Sequence, residues 1–135
     1  MEKWSLSIAG AAFVVSLAAF IIPYVWQRKK TTVEAYKELK KDIYPLYEYK
    51  GKELELYLDG CSEEEYAALT AMLSSIELFA VCVFNNTYER RLSKALAKDY
   101  LGVVLKNNIE TLYEYKLEKS KIDYYPYTRK FMDML

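Results

Sequence analysis

Residues 4–26 read WSLSIAGAAFVVSLAAFIIPYVW, and no charged side chain occurs between Trp4 and Trp26. A helix rises about 1.5 Å per residue and a bilayer core is about 30 Å thick, so roughly 20 apolar residues suffice to cross it. This run of 23 residues is long enough. Leu6, Ile8, Phe13, Val14, Val15, Leu17, Phe20, Ile21 and Ile22 each favour insertion, together by about −3 to −5 kcal/mol at the helix centre. Trp4 at one end, with Tyr24 and Trp26 at the other, matches the aromatic belts of a spanning helix. A cleaved signal peptide fits less well. The apolar run continues past Ser16-Leu17-Ala18 and then meets Arg28-Lys29-Lys30, a stop-transfer flank. Residues 1–27 are therefore expected to be an uncleaved transmembrane anchor.

Charge orients it. Arg28, Lys29 and Lys30 outweigh Lys3, partnered by Glu2, on the other flank. The positive-inside rule then puts the N-terminus outside and the rest of the chain in the cytoplasm, with Arg28, Lys29 and Lys30 at the level of the lipid headgroups. Cys61 and Cys82 are expected to stay reduced there.

Within the anchor, Ser5, Ala9, Ala12, Ser16 and Ala19, followed by Pro23, recur at alternating spacings of four and three. That period of about 3.5 residues holds them on one stripe. In lipid, small residues let helix backbones approach closely, so the stripe points to self-association and a homo-oligomer.

Beyond the anchor the pattern is helical throughout. Thr31-x-x-Glu34 has the spacing of a capping box, predicting a separate juxtamembrane amphipathic helix within residues 28–50. Val33, Tyr36, Leu39, Ile43 and Leu46 form its apolar face, and Pro45 ends or kinks it. Residues 51–135 are then a helical domain. Leu54, Leu56 and Leu58 alternate with Glu53, Glu55 and Tyr57, but a lone strand has no partner, so a helix or loop is expected, stopped by Asp59-Gly60. Ser62 followed by Glu63-Glu64-Glu65 is the strongest helix start, and that helix should run to Phe84 as the central one. Asn85-Asn86 end it. Thr87 is expected to start the next helix, with Leu92, Leu96, Tyr100, Val103 and Val104 inward and an interruption at Gly102 or Asn107-Asn108. Ile109, Leu112 and Leu117 continue the pattern, and a last helix follows Pro126 with Phe131 and Leu135 inward. The expected fold class is all-α: one N-terminal transmembrane helix and a small bundle of about four to five helices.

Composition narrows function. The 135 residues contain no histidine, 2 Cys, and 19 Lys+Arg against 19 Asp+Glu. A Ser-His-Asp triad and His-ligated zinc or haem are excluded, and two distant cysteines cannot make a thiolate metal site. Zero net charge argues against general nucleic-acid binding. No Gly-rich phosphate loop or two-carboxylate metal constellation stands out, so neither an enzyme nor a cofactor is expected. Glu77, inside Ser74-Ser75-Ile76-Glu77-Leu78-Phe79, is the most informative polar residue. A buried carboxylate needs a partner, so it is expected either to pair with Arg90, Arg91 or Lys116 or to serve a ligand. The fourteen Tyr are expected chiefly to line the rim of the domain.

Residues 62–135 resemble a bacterial family of small membrane-anchored helical proteins of unknown function. The resemblance rests on Met72-Leu73-Ser74-Ser75-Ile76-Glu77-Leu78-Phe79-Ala80, Ala97-Lys98-Asp99-Tyr100-Leu101-Gly102 and Tyr125-Pro126. It implies a bacterial or prophage origin, makes Glu77 the family's interior glutamate, and suggests a place in phage-defence or exclusion systems. The resulting expectation is a non-enzymatic, self-associating module that touches the lipid bilayer and a cytosolic protein partner. The alternative is a tethered sensor holding a small ligand, such as a nucleotide, near Glu77.

Overall fold

The computed structural model describes residues 2–135, and side-chain surroundings from residue 4 on. The fold is all-α. Helix α1 (Glu2–Ile43) is 42 residues long, a rod of about 63 Å. It leads into a 3₁₀ turn over Tyr44–Glu48. Then come α2 (Glu53–Gly60), α3 (Glu63–Phe84), α4 (Arg90–Asp99), a π turn over Tyr100–Val104, α5 (Lys106–Ser120) and α6 (Pro126–Met134).

The juxtamembrane helix is not separate. Thr31 caps nothing, because α1 runs unbroken through it. Thr32, one residue on, lends its hydroxyl to the carbonyl of Arg28 at 2.8 Å. Back-bonding of this kind lets Thr sit inside a helix, and neither Gly nor Pro lies between Pro23 and Ile43 to break it. The rod is thus shared: bare apolar surface before Trp26, core-forming surface after Arg28. Tyr36, Leu39, Ile43 and Leu46 belong to one buried cluster with Leu54, Leu73, Phe79, Leu112 and Phe131. Pro45 acts as expected, in the first turn of the 3₁₀ segment.

The alternating Leu-Glu stretch is helical. Leu54 and Leu58, four apart, are buried while Leu56 is exposed. Ser62 starts α3 by accepting from the Glu65 amide at 3.2 Å. The Tyr57 hydroxyl also donates to Glu65, which holds that carboxyl below its usual range and the phenol above its own. Helix α3 ends at Phe84, and Asn86 takes a left-handed φ of 66°. Leu69, Leu73, Ile76, Phe79, Ala80 and Val83 make α3 the central helix.

Helix α4 departs from expectation twice. Its cap is Glu89, not Thr87: the Glu89 carboxylate accepts from the Leu92 amide at 2.6 Å. Its inward residues are Ser93, Ala97, Leu101 and Leu105, while Val103 and Val104 face out and Leu92, Leu96 and Tyr100 are partly buried. Within α4 itself the buried line runs through the small Ser93 and Ala97, with Leu92 and Leu96 flanking it; the π turn accounts only for the residues after Tyr100, where Leu105 is buried in place of Val103 and Val104. The Leu105 amide reaches back five residues to the Tyr100 carbonyl at 2.8 Å, so one extra residue rotates the face that follows. Gly102 sits in that turn because a Cβ there would lie 3.1 Å from the Leu135 Cβ. Asn107-Asn108 interrupt nothing and fall inside α5.

Candidate membrane interface

Helices α1 and α3 run antiparallel. Tyr36 meets Phe79 at 6.2 Å between ring centres, and Arg28 donates through Nη2 to the Tyr88 carbonyl at 3.1 Å. The end of α3 and the loop to α4 therefore lie at the level where the apolar half of α1 stops. Tyr24, Gln27, Arg28 and Thr31 share with Asn85, Asn86 and Thr87 an open cleft of about 450 Å³.

Among the described residues, no side chain of the apolar run from Trp4 to Trp26 is buried. Trp4, Phe13, Phe20 and Trp26 are each 63–80 % exposed, and Ser5, Ala9, Ala12, Ser16 and Ala19 of the stripe are exposed as well. Monomeric proteins rarely expose a continuous apolar surface of this length to water, and the helix is long and apolar enough to cross a membrane. Helix α3 is also long and apolar enough to cross a membrane. Its buried face packs against α1, α5 and α6, which makes it the helix at the centre of the bundle.

Arg28 is also a structural residue. It braces the α3–α4 loop while Lys29 and Lys30 stay exposed, Lys30 lying over the Trp26 ring at 5.7 Å. Beside it, Thr32 is fully buried, donating to the Arg28 carbonyl and accepting from the Glu89 amide at 2.9 Å. Nothing in the sequence singled out Thr32; its only local signal was its place one turn before Tyr36 on the inward face. Thr32→Val keeps the shape and strips the hydroxyl, leaving the Glu89 amide without its acceptor. A loss of about 1–2 kcal/mol is expected, with faster amide exchange at Glu89. Thr32→Ser should restore most of both, and equal behaviour of the Val and Ser variants would refute the strut.

Glu77 is neither ion-paired with Arg90, Arg91 or Lys116 nor open to a ligand. Its Oε1 accepts from the Tyr127 amide at 3.0 Å. Its Oε2 accepts from the Thr128 amide at 2.6 Å and from the Thr128 hydroxyl at 2.9 Å. Glu77 thus caps α6 from a neighbouring helix. Pro126 cannot donate and Tyr125 offers no side-chain cap. The orphan amides at the start of α6 find their acceptor on α3, and a carboxylate also suits the positive end of the helix dipole. Arg90 and Arg91 are exposed, and Arg90 lies over Phe84. Lys116 lies over Tyr66 and Tyr124.

The tyrosines are mostly structural. Tyr113 donates to Asp123 at 2.7 Å and Tyr115 to the Leu58 carbonyl at 3.1 Å. Burial first, and then Asp123, push the Tyr113 phenol above its ordinary pKa. Burial does the same to Tyr36 and Tyr88. Tyr44 and Tyr47 stack on each other, both about half exposed. Cys61 and Cys82 carry free thiols. An acidic cleft of about 450 Å³ holds Glu55, Asp59, Glu114 and Glu118 beside Lys119. Among the described residues, no group of His, Cys, Asp and Glu is arranged to hold a metal ion.

These features define a class: an all-α bundle built onto one half of a helix whose other half is long and apolar enough to cross a membrane. Comparison with protein-family models, with curated proteins and with solved structures finds no match for this chain.

Proposed function

We propose that the chain is a non-enzymatic, single-pass membrane module that assembles with copies of itself through the stripe Ser5, Ala9, Ala12, Ser16 and Ala19. Its N-terminus lies outside and its helical domain in the cytoplasm, where the domain meets a protein partner. In the bacterial setting that the resemblance implies, such an assembly acts at the membrane in phage defence or exclusion.

One angular relation carries the reading. At about 100° per residue, the stripe centres roughly 180° around α1 from Thr32, Tyr36, Leu39 and Ile43, the residues that hold the bundle. Copies packed through the stripe keep their domains on the outside, without steric conflict. Farther along α1 the same side carries Lys30, Glu34, Lys37 and Lys41, all exposed. Their net positive charge confines close packing to the lipid-embedded half. The sensor reading has less support, because both Glu77 oxygens are already engaged by α6.

The test is the stoichiometry of the full chain in mild detergent. Light scattering is expected to show an oligomer that falls to a monomer in the Ala12→Leu, Ser16→Leu double variant, since bulk on the stripe prevents close approach. Leucines at Phe13 and Val14, off the stripe, should leave the oligomer intact. A wild-type monomer, or an oligomer indifferent to the stripe, overturns the proposal.

A further inference from the structure

Where α3 ends, α4 begins and α6 passes, cations and rings alternate. The Arg90 guanidinium lies 5.1 Å over the Phe84 ring. Phe84 lies 6.0 Å from Tyr127, and the Lys130 ammonium sits 5.0 Å over Tyr127. Arg90, Arg91 and Lys130 are exposed, and Tyr127 is partly so. Phe84 runs directly into Asn85, Asn86 and Thr87, which share their cleft with Tyr24 and Arg28 at the end of the apolar run. The strip therefore starts at the level where lipid gives way to water.

Two further observations set the sign of its partner. Arg90 and Arg91 occupy the first turn of α4, with no acidic residue there. The helix dipole disfavours cations at that end. A sequence that works against its own helix start is using those charges for something outside the helix. Glu89 and Glu77 are turned inward as caps, Glu89 to α4 and Glu77 to α6, and the exposed Asp133 one turn after Lys130 offsets only one of the three cations Arg90, Arg91 and Lys130. The outward charge of the strip is consequently positive.

We propose that this strip docks the domain onto an anionic bilayer surface, Arg90, Arg91 and Lys130 facing lipid phosphates and Phe84 and Tyr127 lying at headgroup depth. The proposal rests on the anchor reading, because the anchor holds the strip beside the bilayer. Aromatic rings favour that depth, and each basic residue near an anionic leaflet adds roughly a fivefold preference, so three give about 100-fold. Docking fixes the tilt of the domain to the membrane and makes that tilt depend on lipid charge.

The experiment uses the full chain in nanodiscs of phosphatidylcholine, alone or mixed with phosphatidylglycerol. The readout is amide exchange over residues 84–94 and 126–131. The anionic lipid is expected to slow exchange at least about tenfold, an effect that high salt removes. The Arg90→Glu, Arg91→Glu, Lys130→Glu variant should lose the effect while α5 exchange stays unchanged. An Arg90→Lys, Arg91→Lys variant, which conserves charge, should keep it. Equal exchange in the two disc types, or anionic protection that survives charge reversal, overturns docking and leaves the anchor standing. A chain that fails to purify with the discs overturns the anchor and docking together.

Discussion

Glu77→Ala is expected to destabilise the protein by about 3 kcal/mol and to release α6 before the rest of the bundle. A hydrogen bond to a charged group contributes roughly 1.5–3 kcal/mol, and an N-cap alone roughly 1 kcal/mol. Glu77 supplies three such bonds to two consecutive residues of α6. The variant leaves the Tyr127 and Thr128 amides without acceptors, and the Thr128 hydroxyl is buried with its residue. Glu77→Gln keeps one oxygen but turns an NH₂ toward an N–H donor, so it should recover less than half of the loss. Amide exchange over 126–135 in the full chain tells local release of α6 from global loss. Arg90→Ala is the control: an exposed cation over a ring contributes roughly 0.5–1 kcal/mol, and its loss should not touch α6. If Arg90→Ala matched Glu77→Ala in size and place, the carboxylate would be an ion-pair partner after all.

That contrast shows what the sequence made legible. Ser62 and Phe84 were readable as the limits of α3 because both ends are set locally, by a hydroxyl one turn from a carboxylate and by two asparagines. The bare run from Trp4 to Trp26 was readable because hydropathy and length need no tertiary knowledge. Glu77 was readable as a residue needing partners, but not its partners. Their identity depends on α6 crossing α3 some fifty residues later, with a proline at its start. The face of α4 was misread because hydropathy favours Leu92 and Leu96 over the small Ser93 and Ala97 that the close packing buries, and the run beyond it because one π turn adds a residue to the count. Thr31 misled for a different reason. A capping box marks a possible start, yet a helix already in progress has no orphan amides to cap. The rim formed by Phe84, Arg90, Tyr127 and Lys130 draws on three helices, so no local window contains it.

Asn108 tests the other end of the rod. Its Nδ2 donates to the Leu46 carbonyl at 2.6 Å and to the Tyr49 carbonyl at 2.8 Å, and the residue is 7 % exposed. Those carbonyls belong to the 3₁₀ turn and its exit, where α1 hands over to the rest of the chain and where Leu46 is fully buried. A short turn at a helix end leaves carbonyls that the helix no longer serves, and one amide from α5 serves both. Asn108→Ala is therefore expected to cost about 2–3 kcal/mol: the Tyr49 carbonyl is left without its donor, the Leu46 carbonyl keeps only the long bond from the Tyr49 amide, and an unsatisfied buried acceptor costs roughly 1–3 kcal/mol. Asn108→Asp should cost more, since it sets an oxygen against two oxygens, and it should recover toward the Ala value as acid protonates the carboxyl and restores one donor. Thermal unfolding of the full chain in detergent gives the ranking. Exchange at Tyr49, whose own amide bonds weakly to Leu46 at 3.4 Å, reports the turn itself. An Asp variant as stable as wild type would mean that water already reaches the turn. The rod would then be held to the bundle by the apolar faces of Tyr36, Leu39 and Ile43 and by the Arg28 and Thr32 bonds at its middle, with no polar clasp at this end.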